Sequence, residues 1–207
     1  MDLAALEAAP LQRDPFNFLV VPDFLPPAAL ELVGPDYPQI QLPRNYALEE
    51  VTYGPHFAQL LDKLNAPEFT QAIAAKFGVD LDGTTTNITV RKYCEASDGN
   101  IHLDHWSKII TVLIYFNAKQ WDHEGGKLRM MRSSKDIEDY AAEVEPIGGT
   151  LLAFHRSDRS WHGHKQFVGE RRMLQMNFIK SGVFATAMQR LARFSTHSVK
   201  RLQRIGQ

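Results

Sequence analysis

At 207 residues, with 44% hydrophobic and 23% charged side chains, the chain has the size and composition of one globular domain. No apolar run reaches the roughly 18 to 20 residues of a bilayer-spanning helix, and Met1 to Pro10 carries acids where a secretory leader would carry bases, so a cytoplasmic protein without a membrane segment is expected. The lone Cys94 excludes a cystine framework and a cysteine zinc cluster, which leaves His, Asp and Glu to hold any metal.

In chain order, Phe16 to Val21 reads as a short strand, and Phe24-Leu25-Pro26-Pro27 leads into a helix with Pro27 in its first turn. His56 to Leu64 and Pro67 to Phe77 repeat apolar residues at spacings of three and four and predict two helices, the second stopped by Gly78. From Thr84 to Tyr93 the period becomes two. Thr86, Ile88 and Val90 share one face, and Asn87, Thr89, Arg91 and Tyr93 the other, which either lines a ligand cavity or is solvated.

Lys108 to Asn117, rich in β-branched and aromatic residues, predicts a central strand. Lys127 to Met131, Val144 to Phe154, Ser160 to His162 and Arg171 to Lys180 follow as further strands, with Gly125-Gly126 and Gly148-Gly149 between them as turns or points of close backbone approach. Beyond Gly182 the spacing of Phe184, Met188, Leu191 and Phe194 is helical. Short strands separated by turn signals suggest an antiparallel sandwich or jelly roll. The expected organisation is one domain: a mostly helical support region (1–83), a strand-rich catalytic core (84–180) and a basic helical tail (181–207).

Net charge is −1, yet the 8 Lys/Arg from Arg171 onward face no Asp or Glu, leaving 15 bases against 24 acids before it. Such a tail suits an anionic surface, a partner subunit or packing on the chain's own body, and packing is preferred; nucleic acid is not an expected partner. A homodimer is one arrangement compatible with this reading.

The sharpest chemical signal is His102-Leu103-Asp104 with further histidines, His155, His162 and His164, after the strand Thr150 to Phe154. In an extended segment residues i and i+2 project to one side, so His102 and Asp104 can reach one metal together. Two imidazoles and one carboxylate form the facial set that leaves positions open for oxygenase chemistry on iron(II). The same triad type also holds zinc in hydrolases, and a jelly-roll binding module without activity is a third reading.

The run IHLDHWSKIITVLIYFNAKQW, then GGKLRM, then PIGGTLLAFHRSDRSWHGHKQF, then ERRMLQMNF resembles the 2-oxoglutarate/iron(II) dioxygenase superfamily, within it the prolyl-4-hydroxylase-like branch, from about Thr84 to Ile179. The resemblance implies a double-stranded β-helix, a jelly roll of cupin type, flanked by N-terminal helices and a C-terminal helical segment. It implies Fe(II), 2-oxoglutarate and O2 as cofactors, with metal ligands at His102, Asp104 and His162. Tyr115 would reach the distal carboxylate of 2-oxoglutarate, and Tyr93 matches a tyrosine that precedes the His-x-Asp. Gly125-Gly126, Leu128, Pro146, Gly148 and Phe154 match the intervening turns and strands. His162 is preferred over His164 and His155 because the family's basic residue lies about ten positions after the distal ligand.

That basic residue must meet the second carboxylate of a chelated dicarboxylate, a task suited to a guanidinium. Arg171 and Arg172 face opposite ways on a strand, and Arg172 is preferred because Leu174, Met176 and Phe178 then share its face. Trp106, Trp121 and Trp161 flank the expected site, and Lys108 and Arg129 either bind an acidic substrate group or are solvated. The segment between Arg132 and Glu145 is a candidate lid. The implied reaction is hydroxylation of a peptidyl proline, an amino acid, a small metabolite or a sugar, with release of succinate and CO2; Asp104 disfavours halogenation by supplying the carboxylate that halide would have to replace.

Overall fold

The computed structural model describes residues 1–181. The expected C-terminal helical tail lies outside them. Four helices, α1 (Leu3–Ala8), α2 (Pro27–Val33), α3 (Pro55–Asn65) and α4 (Pro67–Phe77), precede most of the strands. Pro27, Pro55 and Pro67 each stand at a helix start, where a missing N–H costs nothing. Gly78 ends α4 in the left-handed conformation at φ 64°.

The strands are β1 (Phe18–Val21), β2 (Tyr46–Ala47), β3 (Thr85–Cys94), β4 (Lys108–Tyr115), β5 (Leu128–Met131), β6 (Tyr140–Val144), β7 (Leu151–His155), β8 (His162–Gly163) and β9 (Gly169–Ile179). They form a six-stranded sheet in the order β1-β7-β4-β9-β3-β2 and a three-stranded sheet in the order β6-β5-β8. Every pairing is antiparallel.

Sequence periodicity predicts one strand over Val144 to Phe154, whereas the structure divides it between the two sheets, with β6 ending at Val144 and β7 starting at Leu151. The break falls where side chains cannot fit. A Cβ on Gly148 would come 2.1 Å from the Asn117 carbonyl oxygen, and Gly149 adopts φ 88°. Helix α1 and the short β2 carry too little periodicity to be predicted. The segment between Arg132 and Glu145, expected as a lid, begins in turns and ends in the strand β6, which pairs with β5.

The large sheet has two differently covered faces. On one, Ile110, Val112 and Ile114 of β4 and Leu174, Met176 and Phe178 of β9 join Phe57, Leu64, Phe69 and Ile73 of the helices in the main core. On the other, Leu113, Tyr115, Leu152, Phe154 and Met173 pack with Leu128, Met130 and Val144 of the small sheet. Burial of each such side chain contributes about 1.5–3 kcal/mol. Strand parity therefore assigns every residue of β3, β4 and β9 either to the helices or to the space between the sheets.

Candidate functional site

The space between the sheets contains the histidines and carboxylate singled out in the sequence. Single ligand atoms of His102, Asp104 and His162 lie within 4.8 Å of one another. The two histidines arrive together because their backbones form an isolated antiparallel bridge: the His102 amide donates to the His162 carbonyl at 2.9 Å, and the His162 amide to the His102 carbonyl at 3.1 Å. Strand β8 is fixed in turn to β5 through Met130.

Both imidazoles are oriented by backbone carbonyls, His102 Nδ1 against Asn100 O and His162 Nδ1 against Ser160 O, each at 2.9 Å. A carbonyl can only accept, so Nδ1 carries the proton and the Nε2 lone pair is free to ligate. Asp104 is held at both oxygens. Lys108 Nζ donates to Oδ1 at 2.6 Å, and the Thr111 hydroxyl donates to Oδ2. Burial alone would raise the Asp104 carboxyl, but the Lys108 ammonium, His162 and the Thr111 hydroxyl outweigh it and hold the group well below the usual carboxylate range. Thr111 also meets Asn177, which is itself bonded by Gln175.

Burial pushes the His162 imidazole down to about 4, against the partial opposition of Asp104, and the His164 imidazole likewise to about 4. Unfolded histidine takes up a proton near 6.5. Between these values the unfolded chain binds more protons than the native one, so stability rises with pH across the window. The metal-free protein is therefore expected to lose stability as pH falls from about 6.5 towards about 4. Urea midpoints measured in chelator at pH 7, 6, 5 and 4.5 check this, and a flat series would contradict it.

About four residues along β4 from Thr111, roughly 13 Å, Tyr115 is fully buried beside Arg171. Arg171 is 3% exposed, and its guanidinium donates to Gly126 O at 2.7 Å, Met173 Sδ at 3.2 Å and the Tyr115 hydroxyl at 3.4 Å. Gly126 holds φ 81°, and a Cβ there would come within 2.9 Å of the Trp121 ring. The Tyr115 phenol is raised by burial, partly offset by Arg171. None of the bonds that Arg171 makes among the described residues is to a carboxylate, although a buried guanidinium ordinarily has one.

The sequence preference for Arg172 is reversed. Arg172 stands on the helix-side face of β9 with Leu174, Met176 and Phe178, bound to Glu170 and 6.0 Å from the Tyr37 ring. It borders a separate cavity of about 490 Å³ with Trp121, His123 and Glu170 that contains none of the triad. The apolar side of β9 faces the helices, and its mixed side, Arg171, Met173, Gln175 and Asn177, faces the space that holds His102, Asp104 and His162.

Tyr93 lies next to an irregularity in the β3–β9 pairing. The β3–β9 register shifts between Arg91 and Tyr93, which sets Tyr93 opposite Glu170 with Lys92 over its ring and brings the next residue, Cys94, into contact with Arg171. The remaining polar residues of β3, Asn87, Thr89 and Arg91, pair with Asn177, Gln175 and Met173, so this face lines the inter-sheet space. Arg129 does not: it points away from Leu128 and Met130 and is engaged by Glu138, Glu143 and the Tyr140 ring. His155, expected beside the site, stands opposite Ile110 on the helix-side face of the large sheet, and Trp106 is 50% exposed with His105 against it. Thr111 and Cys94 escaped sequence reasoning; a hydroxyl inside the apolar run of β4 was a signal for the first, and nothing marks the second.

Residues 88–180 match the model of the 2OG-Fe(II) oxygenase superfamily. This stretch, which holds His102, Asp104 and His162, is similar to that superfamily. A 2OG-Fe(II) oxygenase is an enzyme that uses Fe(II), 2-oxoglutarate and O2. The donor set fits such an iron: two imidazole nitrogens with free lone pairs and one ionised carboxylate, all hard or borderline ligands, converge on one point.

Solved structures show the same fold. A Pseudomonas putida prolyl-4-hydroxylase aligns with TM-score 0.57 and 18% identity over 88% of this chain and 100% of its own. A Burkholderia pseudomallei oxidoreductase of the 2OG-Fe(II) oxygenase family aligns with TM-score 0.59 and 14% identity over 88% and 92%. A viral collagen prolyl hydroxylase from Paramecium Bursaria Chlorella virus-1, in complex with 2OG, gives 0.52 and 13% over 79% and 96%. At these identities the likeness is one of fold. Among curated proteins no relative matches the sequence. No helix among the described residues is long and apolar enough to cross a membrane.

Proposed function

We propose that this 2OG-Fe(II) oxygenase hydroxylates its substrate with conversion of 2-oxoglutarate to succinate and CO2, on a metal held by His102, Asp104 and His162. The two sheets are read as the double-stranded β-helix of the superfamily, residues 84–180 forming its catalytic core and 1–83 its support. Iron(II) in such a site supplies the activation of O2 that transfers one oxygen atom to carbon.

The chain's own residues then have defined tasks. Asn100 O and Ser160 O keep both imidazoles in the ligating tautomer. Lys108 and Thr111 keep Asp104 ionised and aimed. Arg171 and the Tyr115 hydroxyl receive the 5-carboxylate of 2-oxoglutarate, in a pocket from which Leu113, Met173 and Leu128 exclude water.

The observation that carries this reading is the buried Arg171 guanidinium, without a carboxylate partner among the described residues, on the same sheet face as the three converging ligands. A zinc hydrolase has no use for it. Anaerobic addition of Fe(II) and 2-oxoglutarate is expected to produce the weak visible charge-transfer band of the chelate in the wild type and none in His162→Ala. Folded, iron-loaded wild type without the band would refute the assignment.

A further inference from the structure

We propose that the substrate of this site carries an anionic group, received by the Lys108 ammonium beside the metal centre; the proposal rests on the oxygenase reading above. Lys108 opens β4, and its side chain is only 13% exposed, with Nζ 2.6 Å from Asp104 Oδ1. It is not alone. Arg156, on the inter-sheet parity of Leu152 and Phe154, brings its Nε to the Asp104 carbonyl at 3.4 Å. The carboxylates paired with Lys108 and Arg156 are Asp104, the metal ligand, and Asp158, whose side chain is 90% exposed.

Position along β4 separates this group of cations from the co-substrate. Thr111 holds Asp104 in mid-strand, and Tyr115 at the far end adjoins Arg171. A dicarboxylate that reaches from the triad to Arg171 therefore runs towards Tyr115, and Lys108 stands on the side away from it. The Lys108 side is the one left for the second substrate.

Charge then selects the class of substrate. A dication, the Asp104 carboxylate, the 2-oxoglutarate dianion and the Arg171 guanidinium together are neutral. Once the metal draws on Asp104, the largely buried Lys108 ammonium is left without net compensation, and an unpaired ammonium away from water is unfavourable by several kcal/mol. A carboxylate on the substrate restores the balance and fixes its orientation over the metal. A neutral peptidyl proline leaves the charge uncompensated. Small acids, amino acids among them, fit this end of the site better than an uncharged peptide segment.

The test uses the full chain saturated with Mn(II) and 2-oxoglutarate in place of the turnover-competent mixture, and acetate as the probe with acetamide as its neutral isostere. Melting temperature is followed as each is titrated. Wild type and Lys108→Arg are expected to gain a saturable stabilisation from acetate and none from acetamide, and the acetate Kd of Lys108→Met is expected to be at least about tenfold weaker, since the binding term scales as the logarithm of ligand over Kd. Equal responses of the wild type to acetate and acetamide, or equal acetate Kd in Lys108→Met, overturn the proposal. Failure of Mn(II) and 2-oxoglutarate themselves to stabilise the wild type overturns the oxygenase reading and the proposal with it, and is distinguishable because it precedes any acetate addition.

Discussion

Arg171→Ala is expected to weaken 2-oxoglutarate binding by roughly a hundredfold or more, whereas Arg172→Ala shifts it by less than about threefold. The asymmetry follows from strand parity: Arg171 is 3% exposed on the inter-sheet face next to Tyr115, and Arg172 is engaged by Glu170 on the other. Two hydrogen bonds from a guanidinium to a carboxylate, each contributing about 1.5–3 kcal/mol where a charged group is involved, add up to about two to four factors of ten in affinity. Calorimetric titration of 2-oxoglutarate into the Mn(II)-loaded variants measures both values. The opposite ranking would mean that the co-substrate enters from the Arg172 side, and the assignment of the site face would fall.

Asp104→Ala is expected to abolish metal binding and, separately, to destabilise the metal-free protein by about 2–3 kcal/mol. The second effect arises because the substitution strands Lys108, whose side chain is 13% exposed and whose ammonium is bonded to Oδ1. Breaking a buried ion pair from one side typically costs about 3–5 kcal/mol, here reduced by the residual exposure of the lysine. Adding Lys108→Met to Asp104→Ala removes the stranded charge, so the double variant is expected to recover most of the stability while still binding no metal. Urea unfolding of the four proteins, wild type, both singles and the double, gives the coupling directly. A single Asp104→Ala variant as stable as the wild type would show that water solvates Lys108 freely.

The relation between sequence and site is instructive at single positions. His102 and Asp104 were legible because extended backbone puts i and i+2 on one side, and the structure brings both to His162. The choice between Arg171 and Arg172 was not, because an apolar strand face can meet either a cavity or a layer of helices. In a sheet covered by helices on one side, the helices claim the apolar face, and the mixed face, Arg171, Met173, Gln175 and Asn177, is left for the polar interior. The polar face of β3 obeys the same logic. Beside Tyr93 the β3–β9 register shifts, the extra residue lying on β9, and such a shift has no signature in hydrophobic pattern. The continuous strand expected over Val144 to Phe154 failed because apolar content does not say which sheet a segment joins; Gly148 and Gly149 mark the crossing.

The backbone bridge between His102 and His162 joins residues sixty positions apart in the chain. Closing a loop of that length costs roughly 3–4 kcal/mol of chain entropy before any contact repays it. Neither imidazole therefore meets its partner in the unfolded chain, and the donor set comes into existence only when β8 has docked on β5 and the two amides have paired. A metal bound there is a clasp across the early and late halves of the domain. Occupancy of such a site and closure of the fold would be one equilibrium viewed from two ends, so a metal held there would also select, among the chain's conformations, the one that has finished folding.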